Sequence, residues 1–146
     1  MSSFLLIGGL AGLAAGTIVA FFSRLASVLG REKKPGEWDE PHRFGYQLNR
    51  REARLLGLLS HLLLSLVFGA GYGWLLQSGF VASFAVLPLL LWSVLFAFAT
   101  GYLVLPLEGD GLFGHKHDVW FLVDLLITHG IWALFVAGFA ALWFAS

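Results

Sequence analysis

The sequence predicts an all-α integral membrane protein, a four-helix bundle made of two tandem helical hairpins. Three observations predict it. The 146 residues are 58% hydrophobic and only 12% charged, against about 25% charged in a soluble domain. Mean hydropathy is +0.81, so the chain cannot cover itself with polar surface and takes lipid as its solvent. The charges gather in two stretches, 24–54 and 108–124, with 53 uncharged residues between Arg54 and Glu108.

Span 1 covers about 4–25. Its start, Met1-Ser2-Ser3, lacks the basic region of a signal peptide, and positive charge first appears at Arg24. It therefore reads as a retained span entering from outside. Residues 26–54 form a wet loop with Pro35, Pro41 and mixed charge, and Asn49 with Glu52 makes a capping box for the next helix. As a single helix, 55–107 would measure about 80 Å, too long for one crossing. Gln77-Ser78-Gly79 is its turn-compatible break, giving span 2 at about 55–76 and span 3 at about 80–105. Pro88 should kink span 3. A second charged loop, 106–118, leads to span 4 at about 119–144, with Asp118 placed to cap it.

All nine Lys and Arg residues lie in or beside the loops joining spans 1 to 2 and 3 to 4. The positive-inside rule puts those loops in the cytoplasm and both termini outside. Arg50, Arg51 and Arg54 stand where anionic headgroups would meet them, and membrane lipids are the expected surroundings.

Small residues recur at four-residue steps, which keep close to one helix face. Span 1 has Gly8, Gly12 and Gly16; span 2 has His61, Ser65, Gly69 and Gly73; span 4 has His129, Ala133, Ala137 and Ala141. Fifteen residues separate Phe44-Gly45 from His61 and fourteen separate Phe113-Gly114 from His129, a parallel internal repeat. Close backbone approach is how helices gain contact in lipid. These faces predict a compact bundle, with one left over for a homo-oligomer or a larger membrane complex.

With His61, Phe68-Gly69, Tyr72-Gly73 and Gly111-Leu112-Phe113-Gly114 before His129 lined up, spans 2 to 4 resemble the small four-span bacterial inner-membrane proteins of the YagU-like kind. Trp132 and the alanines of span 4 depart from that pattern. The resemblance implies a four-span fold and no assigned role.

The chain has no cysteine, which removes disulfides, thiolate metal sites and a cysteine nucleophile. Net charge is zero, so nothing points to nucleic acid. No nucleophile–base pair, phosphate loop or catalytic carboxylate pair is present, so an enzyme is not expected and no catalytic residue is named. Ionisable residues inside spans are functional candidates by default; they are His61, Asp124 and His129. Asp124 lies about 140° around the helix from His129 and would meet His61, Ser65 or Tyr102 on a neighbouring helix instead. The two histidines fix register by hydrogen bonding, bind haem b as a cofactor, or line a proton or solute path with Asp124. His115 and His117, beside Glu108, Asp110 and Asp118, read as solvated loop rather than a metal site because Lys116 sits between them. The first expectation is an accessory or scaffold subunit packing through small-residue faces. A transporter or channel-like unit and a haem-binding electron-transfer subunit are the alternatives.

Overall fold

The computed structural model describes residues 3–29, 42–43, 46–47, 49–108, 111–114 and 120–145. Helix α1 is Ser3–Leu29, α2 is Arg50–Gln77, α3 is Val86–Ala99, α4 is Leu105–Glu108 and α5 is Trp120–Ala145. A π turn, Thr100–Val104, joins α3 to α4, and a 3-10 turn, Leu112–Gly114, follows. In the loop before α2, His42–Arg43 pairs antiparallel with Tyr46–Gln47. Four stretches are long and apolar enough to cross a membrane: Phe4–Ser23, Leu55–Gln77, Val86–Leu107 and Trp120–Ala145.

Local chemistry accounts for the helix ends. Asn49 Oδ1 accepts from the backbone N–H groups of Arg51 and Glu52 at 3.0 and 2.9 Å, and Glu52 Oε2 accepts from the Asn49 N–H at 3.0 Å. That is the reciprocal capping box. At the other end of α2, Gly79 takes φ +77°. Its N–H reaches Leu76 O at 3.1 Å, and the Phe80 N–H reaches Leu75 O at 3.0 Å. This is a Schellman ending, which favours glycine in the left-handed position.

Span 3 differs from expectation at both ends. It starts at Val86 rather than near 80, because residues 80–85 form an irregular connection held by Tyr72 Oη donating to Ser83 O at 2.8 Å. Pro88 consequently falls in the first turn of α3, where an N–H would have no helical partner and no kink follows. The irregularity lies instead at Thr100–Val104, where the Leu105 N–H bonds five residues back to Thr100 O. The next residue is Pro106, whose ring would crowd the carbonyl four residues earlier in a regular helix. The widened turn absorbs that conflict. Asp118 lies outside the described residues.

Helix α1 packs along α2 and α5, and α3 packs along α5. Aromatic rings fill the gap between α2 and α3. Phe68 stacks on Phe96 with centroids 4.0 Å apart, and Trp92 Nε1 donates to Phe68 O at 3.0 Å. Tyr72, Leu89, Trp132 and Val136 form the buried centre. Large apolar side chains such as Leu63, Leu87 and Leu142 lie exposed on the outside, as lipid-facing positions require.

Candidate functional site

The small-residue faces of the first two helices meet each other. An added Cβ at Gly12 would strike the Ser65 carbonyl oxygen and stand 2.9 Å from Gly69 Cα. One at Gly8 would strike the Gly69 carbonyl, one at Gly16 the Ser65 side chain, and one at Gly73 the Phe4 carbonyl. The two backbones therefore touch with nothing between them. On α5, Ala133 and Ala137 are buried but Ala141 is exposed, and Ala140 takes the inner position. Each four-residue step drifts about 40°, so three steps from His129 carry Ala141 about 120° off the packed face. Gly138, beside it, meets no atom within 4 Å.

Glycine leaves the α1 carbonyls open from the side. Trp132 Nε1 donates to Gly12 O at 3.1 Å, and His61 Nε2 donates to Gly16 O at 3.0 Å. A carbonyl only accepts, so Nε2 of His61 carries the proton and Nδ1 of the neutral ring is left as an acceptor. The same reasoning fixes His129. Its Nδ1 donates to Leu125 O at 2.7 Å, so its Nε2 accepts the Thr100 hydroxyl at 3.2 Å. Phe96 sets its ring edge-to-face against this imidazole at 4.5 Å.

Both histidines line one cavity of about 380 Å³ between α2, the α3–π turn and α5. Ser60, Thr100, Asp124 and Thr128 line it too. It lies at the end of the bundle from which α2 and α5 begin. His129 forms a buried part of the wall, whereas Asp124 is exposed. The two share the cavity although they do not share a helix face, and no bond joins Asp124 to another described residue. Ser65 and Tyr102, expected as partners for Asp124, do not line that cavity. Ser65 is enclosed in the α1–α2 seam with no hydrogen-bond partner for its Oγ among the described residues, and Tyr102 is exposed.

The hydroxyls were missed by sequence reasoning, since single Ser and Thr residues are common in apolar helices. One signal was present: each histidine follows a hydroxyl, as Ser60-His61 and Thr128-His129. Thr100 had no such mark. It reaches His129 from the π turn, an irregularity often found at functional sites.

Axial ligation of a haem through Nε2 of both imidazoles would require each to give up its present bond there, to Gly16 O or to Thr100. Among the described residues no group of three His, Asp or Glu side chains could hold a metal ion. His115 and His117 lie outside the described residues, as does the side chain of His42. Comparison with family models, curated proteins and solved structures gives no match.

Proposed function

We propose that this small multi-pass membrane protein is a transport- or channel-like unit that takes a small polar solute into the cavity lined by His61, Asp124 and His129. The single observation that carries the reading is that both histidines and the one acidic residue within the spans, drawn from two helices, line one cavity. Polar side chains inside a membrane domain are costly unless they serve a pathway or a partner, and here they gather with three hydroxyls rather than scattering. The nine basic residues, all in or beside the sequence stretches that join spans 1 to 2 and 3 to 4, support an opening toward the cytoplasm, with both termini outside.

The accessory-subunit reading keeps one support. The stripes of α1 and α2 are spent within the bundle, but the open face around Gly138 and Ala141 would admit a neighbouring transmembrane helix. No catalytic role is assigned to either surface.

The cysteine-free chain suits a direct test. Ser60→Cys lines the cavity, whereas Leu59→Cys at the same depth is exposed on the outside of the bundle. A water-soluble thiol reagent should label Ser60→Cys and spare Leu59→Cys in membranes. If Ser60→Cys proves as inert as Leu59→Cys, water and solute do not reach the cavity and the reading fails.

A further inference from the structure

We propose that the cavity selects a small organic cation with an apolar body, such as a protonated amine, over anions of similar size. This rests on the solute-cavity reading above and adds the charge class of the solute.

The argument starts from hydrogen-bond capacity. Asp124 is the one formally charged side chain among the described lining residues, and it is negative. The donor of His61 is spent on Gly16 O, so the ring has only an acceptor left. The donor of His129 is spent on Leu125 O, and its acceptor is filled by Thr100. Thr100, whose O–H donates to His129 Nε2, offers only lone pairs. Ser60 and Thr128 can act either way. The unspent polar capacity of the wall is thus a carboxylate, an imidazole nitrogen and hydroxyl oxygens. Such a set satisfies a ligand rich in N–H or carrying positive charge. A carboxylate or phosphate would meet Asp124 with like charge and, among the described lining side chains, would find only two hydroxyls able to donate.

The remaining wall is apolar. Leu64, Phe96, Val104 and Leu125 face the same space. A bare inorganic ion would leave much of a cavity of about 380 Å³ unfilled, whereas an alkyl- or arylammonium places its hydrocarbon part there and its head at Asp124. Binding sites of this kind combine mostly apolar lining with a few placed polar groups.

The test uses full-length Ser60→Cys protein in detergent, labelled with two reagents of opposite charge. These are trimethylammonioethyl methanethiosulfonate and sulfonatoethyl methanethiosulfonate. In each case the cysteine thiolate attacks the sulfenyl sulfur, forms a disulfide and expels methanesulfinate. Each rate is divided by the rate with a free thiol in solution. The corrected rate for the cation should exceed that for the anion by about tenfold or more, as a field focused in a cleft produces. Adding Asp124→Asn should bring the ratio to about one, while Ser60→Cys remains reactive. Equal corrected rates in the Ser60→Cys protein, or a ratio that Asp124→Asn leaves unchanged, overturn the charge selectivity and leave the solute cavity standing. Failure of both reagents to react removes the cavity reading and this inference together.

Discussion

Two glycine-to-alanine substitutions, at Gly12 and Gly138, should move stability in opposite directions. At Gly12 the new Cβ would stand 2.9 Å from Gly69 Cα and closer still to the Ser65 carbonyl oxygen. Carbon atoms rest at about 3.5–4.0 Å, so the helices must part by about 1 Å, a gap that forfeits a quarter to a half of each contact's attraction. Overpacking of this kind costs about 1–3 kcal/mol. The shift also stretches the bonds from Trp132 to Gly12 O and from His61 to Gly16 O, now 3.1 and 3.0 Å. Interhelical bonds in lipid average about 0.6 kcal/mol each, and alanine's helix propensity offsets about 0.5–1 kcal/mol, so Gly12→Ala should destabilise by about 1–4 kcal/mol. At Gly138 a Cβ meets nothing within 4 Å, and alanine gains about 0.5–1 kcal/mol through its higher helix propensity. Denaturant titration in detergent micelles, followed by tryptophan fluorescence, measures both. If Gly12→Ala unfolds at the same denaturant concentration as Gly138→Ala, or a higher one, the α1–α2 seam is not backbone against backbone.

Two further substitutions probe buried polar groups. Ser65→Ala removes a buried hydroxyl with no partner among the described residues. It should leave stability unchanged or raise it by up to about 1 kcal/mol, and a loss larger than that in the same titration would reveal a hydrogen bond at Ser65. Tyr72→Phe removes the 2.8 Å bond to Ser83 O. It should cost about 0.5–1.5 kcal/mol and speed amide exchange through residues 78–85, whereas unchanged exchange would mean the bond does not hold that connection.

Which parts of this architecture could be read from residues alone follows from the range of the signals. Helix length, the break at Gly79 and the Asn49 cap are local, so composition and short spacings reveal them. The face shared by Gly8, Gly12 and Gly16 is also local, and its partner on α2 carries the matching run Ser65, Gly69 and Gly73. Neighbourhood around the bundle is not local. Nothing in the spacing of α5 says that Trp132 will reach across to Gly12, 120 residues away. The π turn depends on Pro106 colliding with its own preceding turn, and Pro88 looked more disruptive only because span 3 was expected to start too early. The cavity was half legible. His61, Asp124 and His129 stood out as ionisable residues in apolar runs, whereas Ser60, Thr100 and Thr128 gain meaning only once three helices converge.

Gly16 does not line the cavity, yet it sets the hydrogen-bonding character of part of its wall. Its bare carbonyl decides which ring nitrogen of His61 is protonated, and so whether that ring greets a guest as giver or taker. A bulkier residue at 16 would do more than pry two helices apart. It would free the imidazole to exchange tautomers, in a wall it never touches. The character of a surface can therefore be reset from a helix on the far side of the histidine.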